Sequence, residues 1–278
     1  MQSDSHTGGN AEIISTPQSL LLAFMGMHLL RKPIAVSGAS IVEVFDWLGV
    51  GPSATRSLLA RMTDRGMLGR HKSGRKTFYS LTEHGSAVLA DGSRRVWRAA
   101  EQSSWDGQWT MVALSVPEDA RHLRHRARSR LGWAGFGSTA SGLWVTPRIR
   151  DVSAILGTDF EGADLTVTIG RTHPPTTDES LVAAAFDLGR IAQHYAEFHE
   201  RWATKDVSEF DAEGAFAARI RLQAEWLSVG RADPLLPASL LPHAWPADAA
   251  DRLFRSLDAV LDRASTEIES HGLDSIEV

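Results

Sequence analysis

The chain has 278 residues, 43% of them apolar and 23% charged, and no cysteine. That length allows about two domains with buried cores, and the lack of thiols excludes disulfides, thiolate metal sites and a cysteine nucleophile. The net charge of −5 conceals a split, because residues 17–100 carry 12 Lys and Arg against 5 Asp and Glu, net +7, whereas residues 101–278 are net −10. Such an asymmetry points to one part that meets a polyanion and another that does not.

Residues 1–16 read as a disordered tail without the charged-then-apolar pattern of a signal peptide. The longest apolar run, Leu20 to Leu30, has 11 residues and includes His28. A bilayer span needs about 20, so the expectation is a cytoplasmic protein without membrane contact. Residues 17–32 read as a helix capped by Thr16 and opened by Pro17, with Leu20, Leu21, Phe24 and Met27 at helical spacing. Ser37 and Gly38 open a second helix over 39–48, with Ile41, Val44, Phe45 and Leu48 on one face. Gly51-Pro52-Ser53 starts a third, in which Leu58, Leu59 and Met62 face inward and Gly66 closes the helix.

Two strand-like runs follow, Met67–Lys72 and Thr77–Leu81, joined by the turn Ser73-Gly74-Arg75-Lys76. Thr82 caps a fourth helix reaching about Trp97, weakened by Gly85 and Gly92. Three helices, a hairpin and a helix is the order of a winged helix-turn-helix. The third helix then reads DNA, and the hairpin is the wing.

The hydrophobic period changes in the middle region. Strand-like runs at Gln108–Val116, Phe136–Thr139, Leu143–Thr146 and Leu165–Ile169 alternate with helical runs at Glu118–Trp133 and Arg148–Leu156. This βαββαβ order is that of a ferredoxin-like domain. Thr172 to Thr177 reads as a linker, and from Glu179 onward the chain reads as wholly helical, with helices at 179–204, 211–229 and 247–271. The expected organisation is α+β: tail 1–16, winged helix 17–100, ferredoxin-like domain 101–175 and an all-helical C-terminal domain 176–278. The last of these holds 9 Lys and Arg against 19 Asp and Glu.

The outward face of the third helix carries Ser53, Arg56, Ser57, Ala60 and Arg61. Arginine reads guanine edges or grips phosphate, and serine hydroxyls do either more weakly. Small Ala54 and Ala60 allow close approach to a groove. Lys72, Arg75 and Lys76 on the wing suit phosphates or the minor groove. A solvated basic face is the alternative; helix order, wing position and local charge together favour DNA.

The basic run His122–Arg130 fits three roles: a strip along DNA, a grip on ligand phosphates, or the solvated face of an amphipathic helix anchored by Leu123, Ala127 and Leu131. His122 and His125 lack a third metal ligand, and no metal or cofactor is expected. His194 and His199, five apart, fall on different helix faces and read as core or surface residues. No nucleophile elbow, phosphate-binding glycine loop or clear carboxylate pair is present, so the chain does not read as an enzyme. Asp106, Glu118 and Asp119 are the obvious carboxylates for one rival reading, a metal-dependent nuclease on the middle domain; the other rival is an effector-independent architectural DNA-binding protein. Of the nine tryptophans, Trp144, Trp202, Trp226 and Trp245 lie outside the DNA-binding region and read as core, with a minority lining an aromatic-ligand pocket as the alternative.

Five ordered motifs resemble the PaaX-type transcriptional repressors, the family named for control of phenylacetic acid degradation. They are Val36-Ser37-Gly38-Ala39-Ser40, the stretch Gly49-Val50-Gly51-Pro52-Ser53-Ala54-Thr55-Arg56, the stretch Trp105-Asp106-Gly107-Gln108-Trp109, the run from Gly135-Phe136-Gly137 to Arg148, and the run from Asp233-Pro234 through Leu240-Leu241-Pro242 to Trp245-Pro246. The resemblance implies the three-part architecture above and a homodimer that binds an operator in double-stranded DNA. It also implies release by a small-molecule effector, an aromatic acyl-CoA or aromatic acid, in control of aromatic catabolism. The DNA role then falls on Ser53, Arg56, Ser57 and Arg61, and the wing role on Lys72, Arg75 and Lys76. The middle domain of the family is similar to the small CRISPR-associated nuclease, in which an Asp ending the first strand holds metal. Ser115 stands near that place here, which argues against cleavage. Trp144, with Arg148 and Arg150 as anion partners, is the expected ligand contact.

Overall fold

A computed structural model describes residues 15–97, 105–116, 120–160, 163–268 and 272–278. Most of the expected tail lies outside them. The fold is α+β, with two antiparallel four-stranded sheets among the described residues. These residues gather into two compact units: one of residues up to Arg94 with Phe198–Val229 and Ala250–Val278, the other of Arg95–Glu197 with Gly230–Ala249.

In the first unit, α1 (Pro17–His28) begins where Thr16 Oγ1 accepts from the Ser19 amide at 3.1 Å. It ends at His28, before the expected 32. Strand β1 (Ile34–Ser37) follows, an element the sequence reading missed because four residues are too few to show a period. Ser37 both ends β1 and caps α2 (Gly38–Trp47), accepting from the Ser40 amide at 3.1 Å. Helix α3 (Pro52–Asp64) buries Leu58, Leu59 and Met62 as expected. The hairpin β2 (Leu68–Ser73) and β3 (Lys76–Leu81) pairs Ser73 with Lys76 across the turn.

Helix α4 (Glu83–Trp97) is held close to the sheet by Gly85. A Cβ there would fall 2.2 Å from the Met67 carbonyl oxygen. A glycine that reads as a helix weakener is therefore a packing requirement, its conformational cost of roughly 1 kcal/mol offset by the close approach. Helix α9 (Ala212–Ala232) contributes Phe216, Ala217, Ile220 and Ala224 to the same core as α1, α2 and α3. Arg221 Nη2 donates to the Leu48 carbonyl at the end of α2, 2.9 Å away.

The chain's last residues correct the wholly helical reading. Strand β8 (Ser275–Glu277) pairs antiparallel with β1, giving the sheet order β2-β3-β1-β8. Local pattern could not show this, because a three-residue strand forms only where a distant edge offers it hydrogen bonds.

In the second unit, β4 (Trp109–Ser115) is a central strand covered on both faces. Period-2 alternation sends Val112 and Leu114 towards a core with Ala127 and Leu131 of α5 (Arg121–Trp133), Val152 and Leu156 of α6 (Val152–Leu156), and Phe160. Trp109 and Met111 meet Leu181 and Val182 of α7 (Asp178–Ala185) on the other face, together with Phe186 and Leu236. The strands β5 (Gly137–Ser138), β6 (Trp144–Thr146) and β7 (Asp164–Gly170) complete a sheet of order β5-β6-β4-β7, antiparallel throughout. The expected helix over 179–204 is two: α7 and α8 (Leu188–Ala203), separated by the extended Phe186. Helix α10 spans Ala247–Glu267. No helix among the described residues is long and apolar enough to cross a membrane.

Candidate nucleic-acid interface

Helical spacing positions the polar residues of α3 opposite its buried stripe. Ser53, Arg56, Ser57, Ala60 and Arg61 are all exposed. Thr55, between them in sequence, is fully buried, and its hydroxyl donates to the Gly51 carbonyl at 3.2 Å, tying down the first turn. Lys72, Arg75 and Lys76 are exposed on the β2–β3 hairpin. The fold brings Arg56, Arg75 and Lys76 to one cavity of about 650 Å³, with Ser37 and Gly38 at the start of α2 and Tyr79 of β3 also lining it. Ser53, Ser57, Arg61 and Lys72 are exposed but outside that lining.

Three acidic residues enter the picture that charge counting placed only in bulk. Glu43 and Asp46 of α2 line the same cavity. Asp274, just before β8, accepts from the Lys76 ammonium at 2.8 Å, with the two side chains 43% and 65% exposed. The Asp274 amide donates to Ser40 Oγ at 3.1 Å, and its carbonyl accepts from the Ser37 amide at 2.7 Å. The C-terminal segment thus binds the start of α2 and the β2–β3 hairpin together. Its only trace in the sequence is a lone Asp in an acidic tail.

The basic run 122–130 forms the solvated face of α5. Ala127 and Leu131 are buried, while Arg126 and Arg130 both donate to Asp159 Oδ2, at 2.6 and 2.7 Å. His122 and His125 are exposed. Of the carboxylates behind the nuclease reading, Glu118 and Asp119 lie outside the described residues. Asp106 accepts from the Gln108 amide at 2.9 Å and from its side-chain amide at 3.0 Å, a turn-forming role. Among the described residues, no group of three His, Asp or Glu side chains is placed to hold a metal.

The three expected ligand contacts separate. Trp144 is half-buried and lines a second cavity, in the other unit. Arg148 is not part of that lining; its guanidinium donates to the Leu235 carbonyl at 2.7 Å, holding the 233–241 loop against the sheet. Arg150 is exposed, also outside it. Trp202 and Trp226 are core: the indole of Trp202 donates to buried Glu225 at 2.8 Å, and Trp226 stacks on Phe254 at 4.8 Å.

Three family models match the chain in tandem: "PaaX-like protein" over residues 16–85, "PaaX protein central Cas2-like domain" over 102–182 and "PaaX-like protein C-terminal domain" over 186–270. The chain is 27% identical over 247 residues to the transcriptional repressor PaaX of Escherichia coli, covering 84% of this chain and 77% of that protein. Its fold is similar to that of the uncharacterized protein Rv0674 from Mycobacterium tuberculosis, with a TM-score of 0.60 at 20% identity over 92% of this chain and 98% of that one. With its three tandem matches and the E. coli relative, the chain belongs to the PaaX family of transcriptional repressors.

Proposed function

We propose that the protein is a cytoplasmic, ligand-responsive transcriptional repressor that binds a palindromic operator as a homodimer and does no catalysis. In this reading, residues 17–100 are a winged helix-turn-helix, 101–175 a ferredoxin-like domain and 176–278 a mainly helical C-terminal domain whose last strand, β8, joins the β1 sheet. The effector is an aromatic acyl-CoA or aromatic acid, and the controlled genes serve aromatic catabolism. The observation that carries the reading is the exposed face of α3, with Arg56 and Arg61 opposite a fully buried apolar stripe and Arg56 sharing a cavity with wing cations Arg75 and Lys76. The strand orders β2-β3-β1 and β5-β6-β4-β7 support the two layouts.

In this mechanism α3 enters the major groove, and the arginines divide between base edges and phosphates. Two-fold symmetry places the recognition helices about 34–36 Å apart, one DNA turn. The effector acts by binding the DNA-incompetent state better, and that difference in affinity limits how far it loosens the complex. A mobility-shift assay on the protein's own upstream region tests this, with and without aromatic acids and their CoA thioesters. A specific shift released by one ligand is the expected result. A shift that no ligand releases removes the effector from the reading, and no shift removes the operator.

A further inference from the structure

The second cavity has a chemistry that the DNA-binding face does not use. It encloses about 470 Å³, within the usual range of small-molecule sites, about 300–1,000 Å³. Its apolar lining is Trp144 of β6, Phe136 and Phe186, with Ile191 of α8. Phe136, Phe186 and Ile191 are buried, and Trp144 is half-buried. Three exposed arginines also line it, Arg128 from α5, Arg190 from α8 and Arg231 from the end of α9. Among the described residues none of these three guanidiniums has a carboxylate partner; Arg231 lies 5.7 Å over the Trp133 ring. Asp187, the one acid in the lining, is occupied at the start of α8, where it accepts from the Arg190 amide at 2.9 Å.

Two further details mark a built site. His194 lies four residues beyond Arg190 on α8, so both reach the same side of that helix. It lines the cavity, and its Nδ1 is buried with no hydrogen-bond partner. A buried polar atom left unpaired is costly, and a ligand's polar group would remove that cost. Gly137 is in the lining as well. A Cβ there would fall 2.7 Å from the Phe186 ring, so glycine lets the α7–α8 junction close directly on β5. Three arginines gathered beside an indole and two phenyl rings match an anion borne on a flat apolar body.

We propose that this cavity binds a small organic anion, its apolar body between Trp144 and Phe186 and its anionic group held by Arg128, Arg190 and Arg231 with His194. That the same ligand loosens the operator complex rests on the function proposed above; occupancy of the cavity does not. The anionic group is either a free carboxylate or a phosphate of a thioester carrier, and the probes separate the two. The full chain is titrated with phenylacetate, its CoA thioester and uncharged benzyl alcohol, followed by tryptophan fluorescence and calorimetry. One anionic probe saturates, and benzyl alcohol binds at least tenfold more weakly. Preference for the acid identifies the carboxylate, and preference for the thioester identifies the carrier phosphates.

Arg190→Ala and Arg128→Ala, checked for fold by circular dichroism, each weaken that probe at least tenfold, and Arg150→Ala changes it less than twofold. Failure of both anions to saturate overturns the proposal, as does parental affinity in both arginine variants. DNA release is scored separately. Binding that leaves the operator complex intact removes the regulatory role and keeps the site. Ligand-driven release that survives both arginine variants removes the site and keeps the regulatory role.

Discussion

The face of α3 with the β2–β3 hairpin and the second cavity are both rich in arginine, and they differ in what surrounds the charge. Arg56 and Arg61 stand exposed on a helix, with serines and alanines beside them. Arg128, Arg190 and Arg231 are exposed as well, but they share a lining with Trp144, Phe136 and Phe186. A lone exposed cation gains little from one small anion, because water and salt screen it. It gains from a polyanion that engages several cations together and releases counterions. A cation set beside aromatic rings in a concave site suits one compact anion with an apolar body. The surroundings, more than the arginine count, distinguish a nucleic-acid surface from a small-molecule site.

Salt should give the widest separation. If six to ten phosphates are engaged, operator affinity falls roughly 10³–10⁵-fold between 50 and 200 mM salt. Anion binding in the cavity, with fewer charges, should fall far less. Equal salt dependence in filter-binding and calorimetric titrations would erase the distinction.

Acid should act on the unit that carries α3. His28 is 6% exposed, between the rings of Phe24 and Phe216 at 5.0 Å each. Burial, reinforced by Lys32 and then Arg219, lowers its pKa from 6.5 to about 3. The unfolded chain therefore takes up the proton first. His28's contribution is intact above about pH 6.5 and declines as pH falls towards 3, by up to roughly 1.4 kcal/mol per pH unit. Urea denaturation from pH 7 to 4 should show this slope, and His28→Phe should flatten it. An unchanged slope in that variant would show that other groups drive acid unfolding.

Arg56→Ala should weaken operator binding by roughly 1–3 kcal/mol if Arg56 reads a base, and leave the cavity ligand's affinity unchanged. Equal operator affinity would remove Arg56 from the interface. The smallest effect belongs to the Lys76–Asp274 pair. As an exposed ion pair it contributes about 0–1 kcal/mol to stability, so Asp274→Asn should barely alter unfolding. It should tighten operator binding a few-fold by leaving Lys76 to phosphate. Lys76→Ala should lower the salt slope by about one unit. An unchanged slope would place Lys76 away from DNA.

Much of the exposed face of α3 was legible in the sequence. The inward Leu58, Leu59 and Met62 and the outward Ser53, Arg56, Ser57 and Arg61 follow from 3.6-residue spacing, which any helix in this register must obey. Trp144 was placed near a ligand from its motif, and the structure sets it in a cavity wall. The anion partners were assigned by nearness in sequence, to Arg148 and Arg150. The cavity's cations come instead from α5, α8 and α9; Arg128 belongs to the basic run that also read as a grip on ligand phosphates, but nothing in the local patterns links it to Arg190 and Arg231. His194 read as a bland histidine for the same reason.

Helix faces, the βαββαβ alternation, the hairpin and the basic-to-acidic charge split were determined by the chain alone, since each depends on residues a few positions apart. Tertiary structure decided the rest. Strand β8 returns to β1 from the far end of the chain, bringing Asp274 to Lys76. Gly85 and Gly137 mark close approaches to distant segments. Five separate stretches close the second cavity. Such contacts arise where edges, surfaces and unpaired groups from remote segments complete one another, and local periodicity carries no record of those partners.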